Sequence, residues 1–113
     1  MIKAAFIKKE NGTLLLAVNG HAGMAVKGKD IICSAASILA FTLAQTLKYT
    51  EAEGWLERPL YLKLNAGDAL IEAKPKNEFR NEILHTFFMA EVGYSLLAQN
   101  YPNYLKLKVF GEA

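Results

Sequence analysis

The chain has 113 residues, a length that suits one domain with a single core over residues 1–113. Its composition is 52% hydrophobic and 21% charged, which excludes an intrinsically disordered chain. The formal net charge is only +2 and the lysines are spread along the chain, so we predict no direct contact with nucleic acid.

The chain contains one cysteine, Cys33, which cannot form an internal disulfide and which fits the reducing cytoplasm. A single cysteine also excludes multi-cysteine zinc sites, and His21 and His85 show no metal-ligand spacing. We therefore expect no metal and no cofactor. The N-terminal residues are too interrupted by lysine for a signal peptide, and no unbroken apolar run reaches the roughly 18 residues of a membrane span. We accordingly expect no membrane contact.

A β-hairpin is predicted at the start of the chain. Residues 2–8 and 14–20 have the pattern of two strands, and Asn11-Gly12 between them readily adopts the positive φ angles of a tight turn. Both faces of the second strand are apolar, which predicts a position inside a sheet rather than at its edge.

A loop is predicted over residues 21–29. Gly23 and Gly28 flank a segment without clear periodicity, and these glycines would allow the segment to move over a neighbouring reactive group. An ordinary surface connection explains the same pattern.

The longest helical pattern follows this loop, from about Ile31 to about Glu53. Asp30 is a favourable N-cap and Gly54 a natural stop. Apolar residues at helical spacing predict a buried stripe, formed by Ile32, Ala36, Leu39, Leu43 and Leu47. A neighbouring stripe of small side chains predicts either a shallow groove or close packing; its members are Cys33, Ser37, Ala40 and Ala44.

The second half of the chain predicts two strands, a helix and a last strand. The strands cover residues 60–65 and 69–74, the helix covers 78–99 with Asn77 as its cap, and the last strand covers 104–110. The order β-β-α-β-β-α-β predicts an α+β domain of two layers, with a mostly antiparallel sheet and two helices.

His21 and Cys33 are the candidate catalytic pair. A thiolate is a nucleophile, and the start of a helix and a neighbouring imidazolium both stabilise it. Cys33 follows the expected cap Asp30 by three residues, which predicts a position in the first helical turn, and His21 is predicted to act as its base in acyl transfer. The backbone amides of Cys33 or Ser34 would then stabilise the oxyanion.

Each of these residues also has a structural explanation. A lone cysteine is commonly an inert core residue, so spacing alone leaves the role of Cys33 open. Asp30 either orients His21 or only caps the helix. Ser37 either hydrogen-bonds within the site or bonds back to the carbonyl four residues earlier.

The region around this pair resembles the signature of the bacterial ribosomal-processing cysteine proteases, the Prp family. The family pattern is Gly-His-Ala, a short glycine-containing loop, Gly-x-Asp-Ile-x-Cys, and a serine four residues later. The matching residues here are Gly20-His21-Ala22, then Gly28-Lys29-Asp30-Ile31-Ile32-Cys33, then Ser37. The resemblance extends over the whole chain in length and element order. Ser34 and Ala36 depart mildly from the alanine and valine that are common there.

The resemblance implies a homodimeric, cytoplasmic cysteine endopeptidase without a metal or cofactor. Its implied substrate is a ribosomal protein precursor, the twenty-seventh protein of the large subunit, from which a short N-terminal extension is removed. His21 matches the family's catalytic histidine and Cys33 its nucleophile, while Asp30 and Ser37 match supporting positions. The loop between His21 and Cys33 matches a segment that orders over the substrate.

A second function from another class fits the same composition. In a non-catalytic, ribosome-associated binding protein, Cys33 would be core and the lysines would contact RNA phosphates. A thiol redox sensor is the least favoured function, because the chain has no second cysteine to resolve an oxidised Cys33.

Overall fold

A computed structural model describes the backbone of residues 1–21 and 27–111, and the side chains of 1–21 and 31–111. Five strands and two α-helices are formed. In chain order they are β1 (Ile2–Lys8), β2 (Leu14–Asn19), α1 (Lys27–Ala52), β3 (Tyr61–Asn65), β4 (Asp68–Ala73), a 3-10 turn (Asn77–Phe79), α2 (Arg80–Asn100) and β5 (Leu105–Phe110).

The strands form one sheet in the order β3-β4-β2-β1-β5. Neighbouring strands are antiparallel, except that β5 lies parallel to β1. The α+β prediction is therefore confirmed, with a mostly antiparallel sheet and two helices. The hairpin of β1 and β2 lies inside the sheet, as its apolar faces predict.

Both helices pack on the same face of the sheet. Alternate residues of β1 share that face, and Ile2, Ala4 and Phe6 belong to one buried cluster with residues of α1 and α2. The helical stripe predicted on α1 is buried at four of its five positions, with Leu39 partly exposed. From the helices the cluster includes Ile32, Ala36, Leu43, Leu47, Ile83, Phe87 and Tyr94.

Helix α1 begins earlier than predicted. Its first residue is Lys27, so the backbone of Gly28 and Asp30 is helical. The prediction that Asp30 is the N-cap is therefore wrong, as is a loop that extends to residue 29. A carboxylate is favoured anywhere in the first helical turn, so an aspartate marks the start of a helix only to within a turn. Gly23 lies outside the described residues, which omit 22–26.

The start of α2 also differs from the prediction. Asn77 does not cap an α-helix; it opens a 3-10 turn without a side-chain cap bond, and α2 begins at Arg80. Such turns commonly precede α-helices. Tertiary packing holds this one in place, because Phe79 stacks on Trp55 with ring centroids 4.8 Å apart, just beyond the end of α1.

One helical segment of the described chain, Ile31–Ala52, is long and apolar enough to span a membrane by length and composition. Its mean hydropathy is 1.5 over an 18-residue window, because its polar residues are mostly uncharged serine, threonine and glutamine. A search for unbroken apolar runs misses this segment, because its polar residues interrupt the run. A core helix passes the same test, and here Ile32, Leu43 and Leu47 pack into the core.

Tyr94 joins the two helices beside the start of α1. Its side chain is fully buried, and its hydroxyl donates a hydrogen bond of 2.6 Å to the carbonyl of Ala36, three residues after Cys33. Burial raises the pKa of the Tyr94 phenol well above its ordinary value of 10.0. The phenol therefore ionises more readily in the unfolded chain than in the folded one.

Tyr94→Phe is expected to lower the free energy of unfolding near neutral pH by about 1 kcal/mol, because a buried hydrogen bond is lost. Above pH 10 the unfolded wild-type chain loses a proton that the folded chain keeps, so wild-type stability falls by about 1.4 kcal/mol per pH unit through this group. The difference between the two proteins should therefore shrink as the pH rises. Urea unfolding at pH 7 and pH 11 measures the difference in free energy of unfolding between the two proteins. A difference that does not change with pH would contradict a raised pKa of the Tyr94 phenol.

Candidate active site

A groove opens between the end of β2, the β3–β4 turn and α1. It has a volume of about 330 Å³, and both His21 and Cys33 line it. Of the stripe of small residues on α1, Cys33, Ser37 and Ala40 line one wall of the groove, whereas Ala44 is buried. The other lining residues are Ile2, Val18, Gly20, Ala36, Ser37, Ala40, Phe41, Leu64, Asn65, Ala66, Gly67, Asp68 and Ala69.

Cys33 lies on α1 where the helix surface passes from core to solvent. The preceding residue, Ile32, is fully buried and the following one, Ser34, is exposed, whereas Cys33 is half-buried. Its side chain packs partly against the core and also faces the groove. A reagent or peptide in the groove can therefore reach a thiol held by a rigid helix.

His21 lies two residues after the end of β2 and is exposed. Its carbonyl accepts a hydrogen bond of 2.6 Å from the amine nitrogen of Met1. The amide of Gly20 donates to the carbonyl of Gly67 at 3.0 Å, which ties this end of β2 to the β3–β4 turn. The imidazole ring lies directly against the α-carbon side of Gly67.

The two candidate catalytic side chains share the groove but are not hydrogen-bonded to each other. Within residues 1–21 and 27–111 no hydrogen bond joins the His21 ring to the Cys33 sulfur. Catalytic hydrogen bonds are often open without substrate, so this geometry is compatible with a pair that assembles on a bound peptide.

The environment of Cys33 differs from the prediction in one respect. Because α1 begins at Lys27, Cys33 lies in the second helical turn. Its amide and that of Ser34 are consequently used in i→i−4 bonds within the helix, so they are not free to bind an oxyanion. The field of the helix start also falls off within the first turn, which makes the helix a weaker source of thiolate stabilisation than expected.

The predicted supporting residues have different positions. Ser37 is exposed and lines the groove one turn after Cys33, and its hydroxyl makes neither predicted hydrogen bond with a described residue. The side chain of Asp30 lies outside the described part of the chain, so its orientation of His21 remains a prediction.

The β3–β4 turn is a wall of the groove that sequence reasoning missed. Asp68 holds the turn in place. Lys63 Nζ lies 2.7 Å from the Asp68 carboxylate. With its side-chain amide turned so that both ends are satisfied, Asn19 donates from its amide nitrogen to Asp68 Oδ1 at 3.1 Å. The hydrogen bond and charge of Asp68 raise the pKa of Lys63. The turn adjoins His21 because β4 pairs with β2, and the sequence does not reveal this pairing.

Comparison with known proteins identifies a family. A family model described as "Cysteine protease Prp" matches residues 1–106. Comparison with curated proteins gives no match. SMU.848 from Streptococcus mutans, a crystal structure, is 26% identical with a TM-score of 0.72, and the match covers 99% of this chain and 96% of that one.

Two further crystal structures show the same fold at lower identity. Both are of the essential ribosomal processing protease Prp from S. aureus, one with a covalently linked product peptide and one with a substrate peptide. They are 16% and 15% identical, have TM-scores of 0.68 and 0.69, and each match covers 96% of this chain and 99% of that one. The family match over nearly the whole chain shows that this protein belongs to the Prp family of cysteine proteases and is an enzyme of that type.

Proposed function

We propose that this protease removes the N-terminal extension from the twenty-seventh protein of the bacterial large ribosomal subunit. Cys33 is the nucleophile of the proposed reaction and His21 its base. The observation that carries the proposal is the single groove that both side chains line. The family membership and the S. aureus Prp structures with peptides support a peptide substrate.

In the proposed mechanism the Cys33 thiol gives its proton to the His21 imidazole, and the thiolate attacks the scissile carbonyl carbon. The carbon–nitrogen bond then breaks, and the imidazolium gives its proton to the leaving amine. A thioester links Cys33 to the N-terminal fragment. His21 next accepts a proton from water, hydroxide attacks the thioester, and the returned proton restores the thiol.

The proposed substrate contact is largely apolar. The α1 wall and the sheet side of the groove present Val18, Ala36, Ala40, Phe41 and Leu64 around the thiol. Such a lining favours substrates with apolar side chains next to the scissile bond, because each Å² of apolar surface buried in the groove stabilises binding by about 25 cal/mol. The proposed closing step narrows the groove around a bound peptide and brings Cys33 and the His21 ring together.

The experiment that tests this function incubates the purified protein with the ribosomal protein precursor. Mass spectrometry should show loss of the N-terminal extension, and one new N-terminus should appear. The same ribosomal protein without its extension is the control and should remain intact. An uncut precursor, with the enzyme folded and its thiol reduced, would exclude this substrate.

The outer surface of the helices supports the proposed homodimer. A soluble monomer seldom exposes a large continuous apolar surface. The large apolar side chains of α1 and α2 that are each at least 43% exposed include Ile38, Phe41, Phe88, Met89, Val92 and Leu96. Leu39 of α1 meets Gly93 of α2, so the helices lie side by side and these residues can form one surface. A second copy of the chain is its proposed partner.

Met89→Glu is expected to shift the dimer towards monomer by at least about tenfold in the dissociation constant, because it buries a carboxylate in an apolar interface. Gln99→Glu, an exposed change to the same residue on the same helix, is the matched control. Sedimentation equilibrium measures the masses. A monomeric wild type, or equal dissociation constants for both variants, would contradict the proposed interface.

The cytoplasm is the proposed location. Its support is a ribosomal substrate and a lone cysteine that must stay reduced to act as a nucleophile.

A further inference from the structure

We propose that Gly67 is a positioning residue for His21, because its missing side chain leaves the space that the imidazole ring occupies. This inference rests on the proposed role of His21 as the base. Gly67 lies in the two-residue turn between β3 and β4, and it would act only through the ring.

The ring and Gly67 are in direct contact. A β-carbon built on Gly67 would overlap Nε2 of His21, would lie 2.5 Å from Cε1 and would lie 3.3 Å from Cδ2. Real β-carbons essentially never approach other atoms within 3.0 Å, as this one would approach Nε2 and Cε1. Even the smallest side chain at position 67 therefore requires the ring to leave its position.

The turn itself cannot easily retreat from the ring. The Gly67 carbonyl accepts the Gly20 amide at 3.0 Å, and Asp68 is held by both Asn19 and Lys63. In addition, Asp68 pairs with Asn65 across the turn and with Asn19 of β2. These contacts hold the backbone of the β3–β4 turn. A side chain at position 67 is therefore expected to displace the exposed imidazole rather than the turn.

Glycine is also required at position 67 for a second reason, which the experiment has to separate from the first. Its φ is +71°, a left-handed conformation that residues with a side chain rarely adopt. Gly12, in the turn between β1 and β2, provides the matched control, with φ +93°. Its nearest neighbour is the flexible end of Arg80 at 3.4 Å, so Gly12→Ala introduces backbone strain without touching His21.

The first test follows the imidazole nitrogens by NMR. Gly67→Ala is expected to change the ring nitrogen shifts of His21 but not those of His85, which lies on α2 and is the internal reference. Gly12→Ala is expected to leave both histidines as in the wild type. Unchanged His21 signals in Gly67→Ala, or equal changes in both variants, would overturn the proposal.

The second test measures cleavage of the precursor. A displaced base affects the chemical step, so Gly67→Ala is expected to lower kcat by roughly 10- to 100-fold with KM within about threefold. Gly12→Ala is expected to keep the wild-type kcat. A Gly67→Ala enzyme with a displaced ring and wild-type kcat would also overturn the proposal.

If Gly67→Ala fails to fold, a measurement on the wild-type protein tests whether the His21 ring contacts Gly67. A nuclear Overhauser effect between the His21 ring proton on Cε1 and the α-protons of Gly67 is expected, and its absence in the folded protein would overturn the proposal. The NMR tests need no peptidase activity. An inactive wild type, or an active His21→Ala variant, would therefore refute the proposed function while the ring contact is still measured.

Discussion

Cys33→Ala is expected to abolish cleavage of the precursor, with a loss in kcat of at least about 10⁴-fold. Without the sulfur no thioester can form, and alanine cannot replace the nucleophile. The fold should persist, because the side chain is half-buried, the volume lost is small and alanine is the best helix former. Mass spectrometry of the product and thermal unfolding by circular dichroism measure the two effects.

The matched control for this variant is Gln45→Ala, which removes an exposed polar side chain from the same helix. It should cleave at the wild-type rate. If Cys33→Ala also cleaved at that rate while correctly folded, the nucleophile would have to be another group, and the proposed mechanism would fail.

His21→Ala is expected to lower kcat by roughly 10²–10⁴-fold, the usual contribution of a general acid–base. It should also slow alkylation of Cys33 by iodoacetamide near neutral pH, because the neighbouring base no longer takes the thiol proton. The initial rate of alkylation at neutral pH, compared between the wild type and the variant, measures this effect.

His85→Ala is the control for the histidine variant. His85 is exposed on α2 and lines a different, apolar cavity with Phe6, Leu14 and Phe88. It should therefore retain wild-type cleavage and alkylation rates. Identical alkylation rates for the wild type and His21→Ala would remove the imidazole from the mechanism.

Local patterns predicted most of the elements because they are set by local physics. The Asn11-Gly12 turn and the apolar strands beside it correctly indicate the central hairpin. The starts of the helices were less predictable. Asp30 is equally acceptable at the cap and inside the first turn, and the turn at Asn77 depends on Trp55 stacking on Phe79. Neither of these effects is visible in helical periodicity.

Part of the candidate site was predictable and part was not. His21 and Cys33 stand out by residue type and by the resemblance of their surroundings to a family motif, and the structure places both in one groove. Gly67 carries no such signal, because a glycine in a hairpin turn is ordinary. Its contact with the ring follows from the pairing of β4 with β2, which is a long-range feature of the sheet.

The parallel pairing of β5 with β1 has a consequence for how the protein assembles. It joins Ile2 with Leu105, roughly one hundred positions apart. The chain must therefore lose the entropy of closing a long loop before the contacts between β1 and β5 can stabilise it. The hairpins that supply β2 and the β3–β4 turn close over far shorter distances. No described groove residue belongs to β5, so fraying of this last strand should weaken resistance to heat before it disturbs the peptide-binding surface.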